Sequence, residues 1–375
     1  KYVDHHTYPD EAVKGRRVLE ATILDNGREV KIDGVGTGPI DSFVDALARH
    51  IGTEMSVLDY SEHSLQRGSN ASAISYVEME HPGGKLFGVG INTNISSASL
   101  EAVVSAANRI VGGKAGWVAA AAPYRLYVQE SVAGAQAVLL LHGFGGSHAD
   151  WAGLAPALGR EARVLACDLP GHGRSLDYPG AGPAKLAAAA ALAEMAARGI
   201  SRAHVAGHSM GGAVAVLMAL AAPERVASLT LLAPGGFGEE IDAVLLRRYA
   251  AATDADEMRA CLAGMSGPGH AVPRRVVEAW LAMRALRGQG AKLAEIAAAM
   301  PRGDRQGMIP RPMLAGLAMP VSLAWGTKDR VLPTSQTDGL PPAFRLHRVD
   351  GAGHMLIEEA PGLVEDLLLT ALRHG

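Results

Sequence analysis

Apolar and polar residues alternate along 17–24 and again along 28–33, the period of half-buried strands, and Asp25-Asn26-Gly27 between them has the chemistry of a tight hairpin turn. From Pro39 the period lengthens. Ile40, Phe43, Val44 and Leu47 recur at helical spacing, and Pro39 suits the first turn of a helix of about a dozen residues. Strand patterns return at 55–60, 71–80 and 85–92, and a second helix is expected over roughly 97–110. The order strand, strand, helix, three strands, helix predicts a small α+β domain with its helices on one face of a mostly antiparallel sheet. That domain is assigned to residues 1–113, followed by a Gly- and Ala-rich linker at 114–123.

Over 124–375 the rhythm changes to alternating strands and helices. Strands are expected near 124–129, 137–142, 163–168, 203–207, 228–233, 320–325 and 344–349, with helix-like segments between most of them. This predicts an α/β domain built on a mainly parallel sheet covered on both faces. Residues 237–315 interrupt the rhythm: they carry no strand pattern and are rich in Ala, Leu, Met and Arg, so they are expected to form a helical lid inserted between two strands.

Composition narrows the class. A chain of 375 residues is too long for one ordinary core, and 48% hydrophobic against 19% charged residues suits a well-packed protein. A net charge of −3 offers no basic surface for nucleic acid or an anionic membrane, and no apolar run is long enough to span a bilayer. The two cysteines, Cys167 and Cys261, cannot make a disulfide framework, so a cytoplasmic location is expected. The chain opens on Lys1 rather than Met, as a fragment or a processed protein would.

The chemistry concentrates at Gly207-His208-Ser209-Met210-Gly211, between an apolar strand and an Ala-rich helix. In a chain with 45 glycines the pentapeptide alone is weak evidence, but the strand-to-helix context gives it weight. A serine at such a corner is exposed on a tight turn, and flanking glycines are needed where a Cβ would collide. Ser209 becomes a nucleophile only when a base takes its proton; an imidazole suits neutral pH, and a carboxylate must fix that imidazole's tautomer. His354, in a loop after Gly351-Ala-Gly353, is the candidate base, and Asp329, just beyond the strand Val321 to Trp325, the candidate acid. A lone Asp after a strand is commonly a cap or turn former; here it stands in the order Ser, acid, His. The rival Asp350 lies only four residues before His354 and reads as a strand end. Backbone N–H groups of Met210 and Phe144 are the candidate oxyanion hole, and His142 and His208 are expected to shape the loops by hydrogen bonding. None of the histidines has metal-ligand spacing, so no metal is expected.

The segments His142-Gly-Phe-Gly-Gly146, Asp168-Leu-Pro-Gly-His-Gly-Arg-Ser175, Gly207 to Gly212, Pro223-Glu-Arg-Val226, Trp325-Gly-Thr-Lys-Asp329 and Gly351-Ala-Gly-His354 resemble, in order, those of the α/β-hydrolase superfamily. Through Leu232-Ala-Pro-Gly-Gly-Phe-Gly-Glu-Glu-Ile241 the chain looks most like the acyltransferase component of acetoin-cleaving complexes and related small-ester hydrolases. The resemblance implies a serine hydrolase acting on a small acyl substrate through an acyl-enzyme, with no cofactor. The alternatives are acyl transfer to a thiol such as coenzyme A, or a non-catalytic hydrolase scaffold. Haloalkane dehalogenation is excluded, since its nucleophile would be Asp where Ser209 stands. Met258, Met265, Trp280, Met283 and Met300 suggest either an apolar acyl pocket or simple packing of the lid helices.

Residues 17–110 resemble the regulatory domain of 2-isopropylmalate synthase and its citramalate synthase relatives, through Gly36-Thr-Gly-Pro-Ile-Asp-Ser-Phe-Val-Asp-Ala-Leu47, Val57-Leu-Asp-Tyr-Ser-Glu-His63, Gly68-Ser-Asn-Ala71 and Gly88-Val-Gly-Ile91. That resemblance implies a homodimer through this domain and a branched-chain amino-acid effector. The implied pocket comprises Gly36, Gly38, Ile40, Val57, Tyr60, Ser64, Ala71, Ala73 and Ile91, with Thr37 and Ser64 departing from the family's commoner Asn and Ala. The synthase's metal-binding barrel is absent, so condensation is not expected.

Overall fold

The computed structural model describes residues 1–25, 27–64, 73–111, 124–131, 134–299 and 305–374. They divide into two units, Lys1–Trp117 and Val118–Gly375. The expected linker at 114–123 lies outside the described residues.

In the first unit β1 (Tyr2–Pro9), β2 (Arg17–Asp25) and β3 (Arg28–Gly36) form one antiparallel sheet, followed by α1 (Pro39–Ile51). A second sheet, β4 (Ser56–Ser64), β5 (Ala73–His81) and β6 (Gly84–Asn92), is followed by α2 (Ile95–Val111). The expected single sheet is thus two three-stranded sheets, and the unit is a repeat. Arg17–Asp25, Arg28–Gly36 and the helix start at Pro39 recur with one constant spacing as Ala73–His81, Gly84–Asn92 and Ile95. Glycine makes the same contact in each half: a Cβ on Gly34 would lie 2.0 Å from Ser42 O, and one on Gly90 2.0 Å from Ala98 O. The helix can therefore lie against the strand only where no side chain intervenes. Both halves share one core, with Leu19, Phe43, Leu47, Val77, Met79, Leu100 and Val103 buried together. Strand β2 pairs Asp25 with Arg28 of β3 across the expected hairpin; Asn26 itself lies outside the described residues.

The second unit carries a seven-stranded sheet in the order β13-β12-β11-β10-β8-β9-β7. Its elements run β7 (Val128–Ser131), β8 (Ala137–Leu141), α3 (Ala155–Leu158), β9 (Arg163–Cys167), α4 (Ala184–Ala197), β10 (Ala203–His208), α5 (Met210–Ala221) and β11 (Val226–Leu232). Helices α6 (Ala243–Ala251), α7 (Ala255–Met265), α8 (Arg274–Arg284), α9 (Gln289–Ala299) and α10 (Arg311–Ala315) then form the lid. Strands β12 (Val321–Gly326) and β13 (Arg345–Val349) and helices α11 (Leu356–Glu359) and α12 (Pro361–His374) complete the chain. Every strand pairing is parallel except β7 with β9. Strands β8, β10 and β11 are buried along their whole length, which is why β8 reads as a continuous apolar run and β10 and β11 as mostly apolar ones without alternation. The strand expected at 124–129 starts later: Tyr127 donates its N–H to Ser175 Oγ rather than to a neighbouring strand, while its carbonyl accepts from Asp168 N. In sheets of this kind the loops beyond the carboxyl ends of the strands carry the site.

Candidate active site

Ser209 sits between β10 and α5 at φ 53°, ψ −115°, a strained conformation for a residue with a side chain. Backbone hydrogen bonds hold it there: Ser209 N donates to Leu232 O at 2.9 Å, and Ser209 O accepts from Gly235 N at 2.8 Å. The flanking glycines are required by space. A Cβ on Gly207 would meet Gly211 O at 2.2 Å, and one on Gly211 would meet Leu141 O at 2.3 Å.

His354 and Asp329 arrive from the ends of β13 and β12. His354 Nδ1 donates to Asp329 Oδ2 at 2.8 Å, and both side chains are buried. Asp329 Oδ1 accepts from the N–H groups of Val331 and Leu332 at 2.8 and 2.9 Å, so the carboxylate is fixed by its own turn. With its proton on Nδ1, the ring leaves Nε2 as its basic nitrogen. The His354 backbone is tied on two sides, its N–H to Met265 O at the end of α7 (2.7 Å) and its carbonyl to His208 Nε2 (2.8 Å). The structure thus joins Asp329 to His354 directly, and His354 to the residue preceding Ser209. No hydrogen bond links Ser209 Oγ to His354 among the described residues, a separation that catalytic pairs often show before substrate binds. The rival Asp350 is exposed and accepts from Thr327 Oγ1 instead.

The expected oxyanion donors stand on two segments that approach each other at Ser209. Met210 opens α5, where the first N–H has no intrahelical acceptor. Phe144 belongs to the loop after β8, whose Gly143 could carry no side chain freely: its Cβ would lie 3.0 Å from His208 Nδ1 and 3.3 Å from Ser209 Cβ. His142 braces this loop, donating from Nδ1 to Gly143 O at 2.7 Å while Nε2 accepts from Leu169 N at 2.9 Å. Burial pushes the imidazoles of His142 and His208 down to about 4 and about 3, so both act as neutral hydrogen-bonding groups. Asp168, in the next loop, accepts from the His148 ring and backbone and from Arg174 N. Burial works against its charge, yet these bonds hold its carboxyl below the usual range.

Met258 and Met265 are buried on α7, Trp280 packs edge-on against Tyr249 with ring centres 5.4 Å apart, and Met300 lies outside the described residues. Two lid residues at the site escaped the sequence reading, Tyr249 of α6 and Arg284 of α8, both in contact with Gly145 of the Phe144 loop. No motif marks either; a lone Arg in a lid helix looks like a solvent-facing one.

In the first unit a cavity of about 1130 Å³ is lined by Gly38, Ile40, Val57 and Tyr60 from the expected effector set, together with Asp41, Asp45, Glu54 and Glu80. Gly36, between the lining residues Val35 and Thr37, is itself packed on α1 with Ser42 N 2.6 Å from where its Cβ would be, and Ala73 is buried in β5. Ala71 and the side chains of Ser64 and Ile91 lie outside the described residues. The Asp41 carboxylate accepts from Thr37 N (2.8 Å) and Thr37 Oγ1 (3.1 Å), so that amide is occupied from within the chain. Among the described residues no three His, Cys, Asp or Glu side chains gather as a metal site, and no helix is long and apolar enough to cross a membrane.

Residues 1–111 match the LeuA allosteric (dimerisation) domain, and residues 138–367 match the alpha/beta hydrolase family. The first region is 82% identical over 115 residues to a 2-isopropylmalate synthase of Mesorhizobium japonicum, a match spanning 31% of this chain and only 21% of that protein. The chain is 37% identical over 240 residues to the dihydrolipoyllysine-residue acetyltransferase component of the acetoin cleaving system of Pseudomonas putida, covering 64% of each. The corresponding component from Cupriavidus necator is 31% identical over 286 residues, 72% of this chain and 74% of that protein. Among solved structures, a meta-cleavage product hydrolase from Pseudomonas fluorescens superposes with a TM-score of 0.59 at 21% identity, over 66% of this chain and 94% of that one. A hydrolase from Pseudomonas aeruginosa gives 0.53 at 27% identity, over 66% and 94%. Behind an N-terminal LeuA dimerisation domain, therefore, this chain is an enzyme of the α/β-hydrolase family.

Proposed function

We propose that the hydrolase unit cleaves a small carboxylic ester or thioester through Ser209, His354 and Asp329. The observation that carries this reading is the buried 2.8 Å bond from His354 Nδ1 to Asp329 Oδ2 beside a serine held at φ 53°. As Ser209 Oγ bonds to the acyl carbon, its proton passes to His354 Nε2 and the carbonyl electron pair moves to oxygen, facing the N–H groups of Phe144 and Met210. Collapse breaks the bond to the leaving group, which takes the proton from His354 and leaves an acyl-serine. Water then repeats the sequence, giving its proton to His354 and its hydroxyl to the acyl carbon; the acid departs and Ser209 recovers its hydrogen.

The likeness to acetoin-system acetyltransferase components favours a second reading, in which a thiol such as coenzyme A takes the acyl group in place of water. Pre-steady-state hydrolysis of p-nitrophenyl butyrate separates the two. The hydrolase reading expects a burst of p-nitrophenol that Ser209→Ala abolishes and a steady rate insensitive to coenzyme A; acceleration by coenzyme A would favour transfer. Absence of any p-nitrophenol release by the wild type would remove both.

The N-terminal unit, in this reading, pairs two chains and takes a branched-chain amino acid in the cavity between Ile40, Val57 and Tyr60, where Asp41, Asp45, Glu54 and Glu80 would favour its ammonium group. Two buried thiols, Cys167 and Cys261, suit a reducing cytoplasm. Thermal-shift measurements with leucine, isoleucine and valine test the effector, and sedimentation tests the dimer.

A further inference from the structure

Arg284, near the end of lid helix α8, is a buried guanidinium with only 8% of its surface exposed. No carboxylate pairs with it among the described residues. Its Nη1 donates to Gly145 O at 3.2 Å and its Nη2 to Tyr249 O at 3.3 Å, both neutral acceptors, while Nε has no partner. It stacks 4.7 Å over the Tyr249 ring, and the Tyr249 hydroxyl, on a residue 1% exposed, has no polar partner among the described residues other than the Arg284 guanidinium itself. A buried cation with no paired anion, its Nε unsatisfied and a hydroxyl beside it, is costly for folding alone and is what an anion-binding subsite requires. The carboxyl groups whose fields they share are those of Asp150 and Glu358, neither within ion-pairing distance of Arg284. Burial pushes both carboxyls up, Glu358 to about 7, which weakens them as competing anions.

The position relative to the nucleophile gives this pair its meaning. One loop touches both: the site of a Cβ on Gly143 lies 3.3 Å from Ser209 Cβ, and the same site on Gly145 lies 2.6 Å from Tyr249 Cε1 and 2.9 Å from Arg284 Nη2. Phe144, the proposed oxyanion donor, is the residue between. Two residues of chain span at most about 7 Å, so the nucleophile and the cation contact neighbouring positions of one short loop, and a small substrate can reach both.

We infer that Arg284 and Tyr249 bind a carboxylate of the substrate, so that the ester or thioester cleaved at Ser209 carries a free acid a few carbons from the reacting carbonyl. This rests on the serine-hydrolase reading above and specifies its substrate class. The acid can belong to the acyl chain or to the leaving group, and two ester pairs distinguish these sources. On the acyl side, p-nitrophenyl hydrogen adipate is compared with p-nitrophenyl methyl adipate; on the leaving-group side, meta-carboxyphenyl butyrate is compared with its methyl ester. In one arm the wild type is expected to favour the free acid at least about tenfold in kcat/KM, and Arg284→Gln to lower that ratio about 10- to 100-fold, the worth of a charge-assisted hydrogen bond. Arg284→Lys, a cation without the fork, should restore part of the ratio, and Tyr249→Phe should lower it a few-fold. An Arg284 that serves only to brace Gly145 would change both members of each pair alike. A wild type with no preference for either free acid, or a preference untouched in Arg284→Gln, overturns the inference. Calorimetry on Ser209→Ala, which keeps both binding groups, guards against misfolded Arg284 variants: it should bind adipate and not dimethyl adipate, and equal or absent binding of the two overturns the proposal. If the wild type cleaves none of the four esters, the hydrolase reading fails, and adipate binding then decides the anion site alone.

Discussion

His208 Nε2 donates a 2.8 Å hydrogen bond to the carbonyl oxygen of His354, joining the residue before the nucleophile to the residue that carries the base. The rings of the two histidines lie 5.0 Å apart, and burial pushes the His208 imidazole down to about 3, so it stays neutral at working pH and presents Nε2–H to that carbonyl. The serine corner and the base loop are thereby a single unit, although they lie in distant parts of the sequence. His208→Leu should lower kcat about tenfold, the worth of one buried hydrogen bond, with KM little changed. His208→Gln, which can still donate, should recover much of the loss. Stopped-flow acylation rates read this directly; an unchanged rate in His208→Leu would show that the bond positions nothing.

Asp329 holds the tautomer of His354 and is itself held by two backbone N–H groups. Asp329→Asn keeps the shape and reverses the polarity of that bond, and should cost about 10⁴-fold in kcat with little change in Tm. Asp350→Asn, whose carboxylate serves only Thr327 and the surface, should stay within about twofold on the same assay.

Much of this was legible in the sequence because it rests on local rules. Most of the parallel strands announce themselves as short, largely apolar runs, and the serine, acid and histidine each stand in a loop that follows a strand. What was not legible is tertiary. Strand β1 went unread because only Tyr2 of its eight residues is buried, leaving no alternation to see. The internal repeat is hard to see because Gly34-Val35-Gly36 and Gly88-Val89-Gly90 look equivalent, whereas the strand and helix bounds pair Gly34 with Gly90; Gly88 makes the like contact with Ala102 O, one helical turn further on. Arg284 and Tyr249 belong to helices whose pattern says only that they are amphipathic; nothing short of the lid's packing brings them to Gly145.

The repeat gives its own test. A Cβ at Gly90 would sit 2.0 Å from Ala98 O and 2.5 Å from Ala102 N, both backbone atoms that cannot turn aside. Gly90→Ala should therefore destabilise the N-terminal unit by about 3 kcal/mol, the scale of an overpacked core. Calorimetry should show one transition lowered. An unaltered thermogram would mean that strand and helix are not in the contact described.

Glu194 is 2% exposed on its side chain and accepts from Arg125 Nε and Nη2, both at 2.8 Å, and from Arg198 Nε at 2.7 Å. Burial alone would raise its carboxyl, but the two guanidinium groups outweigh that and hold it below the ordinary value. Its contribution to stability is therefore present above the unfolded value of about 4.3 and is lost as pH falls through the lower folded one. Glu194→Gln should cost about 1–3 kcal/mol at pH 7, the low side applying because both arginines keep some contact with water. Urea melts of both proteins should converge as pH is taken below about 4; a gap that persists in acid would mean that the lost bonds were not ionic.

The account turns on whether Ser209 is the group that becomes acylated. Intact-protein mass spectrometry after treatment with a fluorophosphonate, followed by peptide mapping, measures this directly. The expected result is one adduct per chain, on Ser209, absent in Ser209→Ala and formed far more slowly in Asp329→Asn. A wild-type protein that stays unlabelled, or a Ser209→Ala variant that labels and hydrolyses esters like its parent, would contradict it.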